Sequence, residues 1–199
     1  RQIVWETAMR SLGALSGLVI LTACGGVSTS AVNVSREALR LESAAHLLTE
    51  SAMAPNVPGS ALPQSGSVAY HGFATVTLGT APQTVARRGD ADVVVEVGAV
   101  ALRGAVVNVT GTDAYGTLGI YLGTLGIEQG IIDRAALDTL AQAELRGTLS
   151  GNGDLINFDQ PLDGAVTGDF GEFLSLASDD LAVLNGVIVG SQVLIFTKD

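Results

Sequence analysis

Cysteine is nearly absent from this sequence: Cys24 is the only one in 199 residues. No intrachain disulfide can form, so an exported domain would have to be held by its own core. Histidine is almost as scarce, with His46 and His71 alone. One thiol and two histidines leave little for thiol catalysis, a histidine-based triad or a zinc centre. Charged residues make up 15 % and aromatics 5 %. The first figure, with 25 glycines, argues against a long-helix or coiled-coil protein. The second argues against the aromatic girdles of a membrane-spanning barrel. Basic side chains are the scarcer sign, 10 Lys and Arg against 20 Asp and Glu. From Cys24 onward the balance is 8 to 19. Phosphate backbones and anionic headgroups are held by Lys and Arg, so nucleic acid and acidic membrane surfaces are disfavoured partners. Any membrane attachment must come from something other than a basic patch.

Such an alternative stands near the N-terminus. Met9 is followed by Arg10, then by an uncharged run over residues 11–23, then by Cys24. A short positive region, an apolar stretch and small residues before a boundary make a secretory signal. The run is too short for a comfortable membrane-spanning helix, which needs about 20 apolar residues. Residues 1–23 are therefore read as a signal peptide, with translation expected from Met9 and residues 1–8 as an upstream extension. Leu21-Thr22-Ala23-Cys24-Gly25 resembles the lipobox of bacterial lipoproteins. A cysteine thiolate is the nucleophile suited to take up a diacylglyceryl group. The resemblance implies a mature chain that begins at acylated Cys24. Gly25 in the next position implies the outer membrane by analogy with lipoprotein sorting.

After Cys24 the composition changes twice. Residues 25–34 are small or β-branched and uncharged, as in a tether. Residues 35–51 predict a short helix: Ser35 can cap it, and Leu41, Ala44, Ala45 and Leu48 fall on one face. Residues 53–67 carry Pro55, Pro58 and Pro63 among Gly and Ser, a linker composition. This divides the chain into a signal peptide over 1–23, a lipid-anchored tether with a short helix over 24–65, and a domain over 66–199.

In that domain the period is two. Val68, Tyr70, Ala74, Val76 and Leu78 alternate with Ser67, His71, Thr75 and Thr77. Val93, Val95 and Val97 alternate with Asp92 and Glu96, and a turn at Gly98 leads into residues 99–109. Ala143, Leu145 and Leu149 alternate with Glu144, Arg146 and Ser150; Gly151-Asn152-Gly153 then marks a tight turn. Leu162 and Val166 alternate with Asp163 and Thr167, and two last runs are expected over 181–189 and 191–197. Residues 117–127 read as a strand and residues 131–142 as a helical turn or short helix over one end. Gly72, Gly104, Gly147, Gly164 and Gly186 fall in mid-strand, where glycine permits the bending of a small closed barrel. The expected fold is all-β: a soluble antiparallel barrel of about eight strands with a side-chain-filled interior.

Residues 66–199 resemble the β-barrel domain of transferrin-binding protein B and related surface lipoproteins. The matching pieces are Gly66-Ser-Val-Ala-Tyr-His-Gly72, the strand 92–97 with Ala101-Leu-Arg-Gly104, Leu145-Arg-Gly-Thr-Leu-Ser-Gly151, Gly164-Ala-Val-Thr-Gly-Asp-Phe-Gly171 and Asn185-Gly-Val-Ile-Val-Gly190. Phe170-Gly171-Glu172-Phe173 stands where the family often has Phe-Tyr-Gly-Pro. The resemblance implies the fold, the lipid anchor and a binding role. With room for one barrel only, it does not extend to transferrin.

The search for chemistry returns little. His71 falls on a polar strand face. Asn152, Asp154, Asp159 and Asp163 lack the spacing of a calcium loop and suit turns. Asp90 with Asp92, and Asp179 with Asp180, suit a solvated rim. Arg87-Arg88 reads as a solvated turn, and Asn108-Val-Thr110 as a sequon without force in a bacterium. Neither metal nor cofactor is expected, and no catalysis. The function expected is a cell-envelope lipoprotein that presents a barrel for binding a protein or other ligand. An assembly factor for an outer-membrane component is one alternative. A small-ligand carrier with an open cavity, or a hydrolase with a cleft beside His71, are the others.

Overall fold

The computed structural model describes residues 29–79, 84–113, 117–135 and 138–199, with side chains from residue 37 onward. Two compact units divide the chain, Arg1–Val34 and Ser35–Asp199. The second unit is the subject below.

Nine strands follow one helix: α1 (Thr29–Met53), β1 (Ser67–Leu78), β2 (Val85–Glu96), β3 (Ala101–Thr112), β4 (Leu118–Tyr121), β5 (Leu125–Asp133), β6 (Leu140–Gly151), β7 (Asp154–Thr167), β8 (Phe173–Leu184) and β9 (Val187–Lys198). All pairings are antiparallel, and β1 pairs with both β2 and β9, so the sheet closes. β4 and β5 lie end to end along β3. Together they fill one place in the wall, and the barrel has the expected eight positions. Closure removes the unpaired edges that would otherwise recruit other chains.

Alternation decides which face turns inward. Tyr70, Ala74, Val76 and Leu78 of β1 are buried, as are Val93 and Val95 of β2 and Leu145 and Leu149 of β6. The interior is filled by these and by Leu125, Ile127, Ile156, Leu174 and Ile195. Outside, Arg103 pairs with Glu96, and Arg146 pairs with Glu144 and Asp159. An apolar interior under a charged outer wall reverses the arrangement of a membrane-spanning barrel with a polar lumen. Among the described residues no helix is long and apolar enough to cross a membrane.

Several local expectations need correction. Residues 131–142 are not helical. They comprise the end of β5, a connection and the start of β6. Residues 117–127 split into β4 and β5 around Gly123, whose φ of 122° interrupts the run. The last hairpin turns at Asn185-Gly186, with φ of 51° and 83°, and not at Gly190. Gly186 is therefore a turn residue; Asn-Gly suits the two positive φ angles of a tight hairpin turn. β2 begins at Val85, so Arg87 and Arg88 are strand residues, not a solvated turn. The remaining mid-strand glycines are genuine. At Gly164 an added Cβ would fall on the carbonyl oxygen of Ser175.

α1 is longer than expected, 25 residues, and docks on a face that shares Ala44 and Leu48 with the expected one but is rotated away from Leu41 and Ala45. Leu41 is exposed, whereas Glu37, Arg40, Ala44, Leu47, Leu48 and Ser51 are partly or fully buried. The reason is polar. Arg40 donates to Asp90 Oδ2 (3.0 Å), Thr110 Oγ1 (3.1 Å) and the Asn108 carbonyl (3.0 Å). Glu37 accepts from Arg88 (3.0 Å) and Thr110 (2.6 Å). These bonds bolt α1 to the outer wall of β2 and β3.

The proline-rich segment after α1 is equally engaged. Val57 and Leu62 are buried in the core. The Val57 carbonyl accepts from both the backbone nitrogen and the hydroxyl of Thr139. The Arg134 guanidinium donates to the carbonyls of Gly59 and Leu62. The segment thus plugs one end of the barrel, called here the linker end. The opposite end carries the β1–β2, β3–β4, β6–β7 and β8–β9 connections and is called the hairpin end.

Candidate functional site

Titratable side chains meet in two places outside the helix clamp. On the outer wall, His71 of β1 lies opposite Asp92 of β2, and its Nδ1 is 2.6 Å from Asp92 Oδ1. Both side chains are mostly exposed. Strand pairing brings them together, and alternation points both outward, as expected for His71. A His–carboxylate pair orients an imidazole, but acyl transfer also needs a nucleophile and a concave site. Among the described residues no hydroxyl is bonded to His71, and the pair sits on a convex wall. Asp90 is not its partner, because Arg40 and Asn108 occupy its carboxylate. No group of three metal-ligating side chains occurs among the described residues.

The second place lies inside the barrel near the hairpin end. Arg87 is 1 % exposed. Its Nη2 donates to Asp154 Oδ2 at 2.7 Å, and its guanidinium carbon stands 4.5 Å from the centre of the Tyr121 ring. Tyr121 also donates to Asp154 Oδ2, at 3.2 Å. Asn185 of the last turn donates to Asp154 Oδ1 at 3.3 Å. Asp154 is thus a hub that joins β2, β4, β7 and the β8–β9 turn. Burial raises the Tyr121 pKa, opposed by the neighbouring Arg87, so the phenol stays protonated. A neutral ion pair with a protonated phenol is a structural latch and offers no reactive group. Sequence reading missed Arg87, although a signal existed. Continuing the inward series Val95, Val93, Ala91 backwards along β2 reaches Gly89 and Arg87.

Two surfaces are left open to partners. At the linker end a groove of about 320 Å³ lies between the end of α1 and the β7–β8 connection, lined by residues including Glu50, Met53, Asp169, Glu172 and Phe173. Met53 and the nearby Phe170 are strongly exposed. At the hairpin end the outer wall presents Ile120, Leu122, Leu155, Leu181, Val187 and Ile188, all exposed. Cys24 and the signal region lie outside the described residues.

No protein family matches the chain by sequence pattern, and no curated protein matches it. Two solved structures of transferrin binding protein B variants from Haemophilus parasuis are similar. One has a TM-score of 0.48 and 13 % identity, the other 0.44 and 16 %. Each likeness covers 72 % of this chain, which spans only 27 % and 28 % of theirs. No property of those proteins follows from so distant a likeness.

Proposed function

We propose that this chain is a lipid-anchored protein of a bacterial cell envelope, held in the outer membrane through acylated Cys24, that presents a rigid barrel for non-enzymatic binding of a protein. The observation that carries this reading is Leu21-Thr22-Ala23-Cys24-Gly25: the only thiol of the chain closes an uncharged run that follows Arg10. Residues 1–23 serve as the signal and residues 24–65 as the attachment to the barrel domain over 66–199. The filled interior supports recognition by outer surfaces, since a small-ligand carrier needs an open cavity. The exposed His71–Asp92 pair on a convex wall supports a role without catalysis. The groove at the linker end sets Met53 and Phe173 beside Glu50, Asp169 and Glu172. A protein segment with apolar and basic side chains has the complementary chemistry.

The test is mass spectrometry of the N-terminal peptide of the mature protein, purified from membranes of its native host. A peptide that starts at Cys24 and carries diacylglyceryl mass is expected. An unmodified peptide that runs through Cys24 overturns the anchor.

A further inference from the structure

The closed wall is interrupted between β7 and β8. These strands pair at Ile156↔Leu184 and Asn157↔Val183, and again from Asp163↔Ala177 to Thr167↔Phe173. Between those stretches residues 158–162 and 178–182 pair with β6 and β9 on their far sides and not with each other. The register is the same on both sides of the gap, so no residue is inserted, as a bulge would require. The strands simply part. The sequence supplies the cause. Pro161 has no N–H, and proline removes a ladder bond from a strand with a neighbour on each side. In the shared register Asp179 stands opposite Pro161 and diagonal to Asp159 and Asp163, and all three acidic residues are exposed. Like charges so placed disfavour pairing. Asp159 and Asp163 turn the other way, to Arg146 and Gln142 of β6.

The inward row behind this seam is polar. Gln160 of β7 stands opposite Asp180 of β8 in the shared register, and Asp180 pairs with Ser191 of β9. Gln160 is 1 % exposed and Ser191 3 %. Among the described residues neither the Gln160 amide nor the Ser191 hydroxyl has a hydrogen-bond partner. Asp180 falls in the inward series of Leu174, Leu176, Ser178 and Ala182, which are all buried, yet Asp180 is exposed. Solvent thus reaches a position of the inner row at the parted strands. A buried amide, a buried hydroxyl and unpaired main-chain groups all require partners. Water that enters from the side supplies them.

We infer that the barrel has a lateral opening between β7 and β8, held apart by Pro161 and Asp179, which admits water and small hydrogen-bonding solutes to Gln160. Because the register is continuous across the gap, residues 158–162 and 178–182 can pair and part without any slip of the strands. The paired positions on both sides limit the width, so the solute must be small. The rest of the sheet stays closed. The opening does not depend on the lipid anchor proposed above.

The test is hydrogen exchange of the full chain, read at single residues by mass spectrometry with electron-transfer fragmentation. Only the amides that face the seam are affected, since the others are bonded to β6 or β9. The fastest amides in 158–162 and 178–182 should exchange about tenfold or more faster than those in 163–167 and 173–177. Equal protection in the two sets overturns the opening. A Pro161→Val, Asp179→Thr double variant restores the N–H and removes the like charge at two exposed positions. Its seam amides should slow toward those of the flanks, and unchanged exchange overturns the assigned cause. Access to the inner row is read with iodoacetamide, using peptide mapping that reports Cys24 separately. A Gln160→Cys thiol should react several-fold faster than a Leu145→Cys thiol, placed at its fully buried partner in β6. A Gln160→Cys thiol that reacts no faster marks labelling through global unfolding and overturns the inference.

Discussion

Tyr70 and Arg87 are both buried polar side chains, and they are satisfied to different degrees. The Tyr70 hydroxyl donates to the Gly171 carbonyl at 2.6 Å. Burial, and behind it the negative charge of Asp199, pushes its pKa well above the ordinary value of 10.0. The unfolded chain therefore ionises this phenol first. The stability linked to the protonated form is complete below about pH 10 and is lost as pH rises beyond it. A Tyr70→Phe substitution should cost about 1 kcal/mol at neutral pH through the lost hydrogen bond. It should also flatten the alkaline decline, leaving the part due to Tyr121. Denaturant midpoints measured at neutral and alkaline pH check this, and an unchanged alkaline slope would contradict it. Arg87 is less fully paired, since its Nε and Nη1 have no partner. A buried ion pair of this kind fixes register more than it adds stability. Here it ties strands that are 67 residues apart in sequence.

At the scale of elements, α1 shows how a charged contact can rotate an apolar stripe on its docking surface. Of the expected stripe Ala44 and Leu48 are partly buried, but the helix is turned so that Leu41 and Ala45 are exposed and Glu37 and Arg40 meet Arg88, Asp90 and Thr110. Periodicity identified the helix because its apolar residues recur locally. It could not identify the docked face, because the partners lie 50 to 73 residues away. An Arg40→Ala substitution should loosen α1 without opening the barrel. The expected cost is about 1 kcal/mol, as for one partly buried ion pair with further hydrogen bonds. Hydrogen exchange should quicken in residues 37–50 while β1 to β9 keep their protection. Equal acceleration in the strands would show that helix and barrel unfold as one. The linker behaved similarly. Its prolines signal a break in secondary structure, and only the fold reveals that Val57 and Leu62 enter the core.

For the whole molecule, closure is the decisive event. β1 meets β9 over His71↔Lys198 to Leu78↔Ser191, joining the two ends of the barrel sequence. Until that pairing forms, β1 and β9 are open edges and the apolar interior faces water. A chain ended at Gly186, which lacks β9, should show no cooperative thermal transition by circular dichroism and should aggregate by light scattering. A monomer that melts cooperatively would show that closure is dispensable.

The all-β class, the inward faces of β1, β2 and β6, and the tight turn at Gly151-Asn152-Gly153 were determined by the sequence alone. Each rests on a local rule: side chains alternate with period two, and positive φ selects Gly and Asn. The same alternation placed His71 on the outer wall. Closure between β1 and β9, the face on which α1 docks, the plug formed by residues 54–66 and the Arg87–Asp154–Tyr121 latch were decided only by tertiary structure. Each depends on residues far apart in sequence, and the energy of such a contact exists only once the register of the intervening strands has brought its partners together.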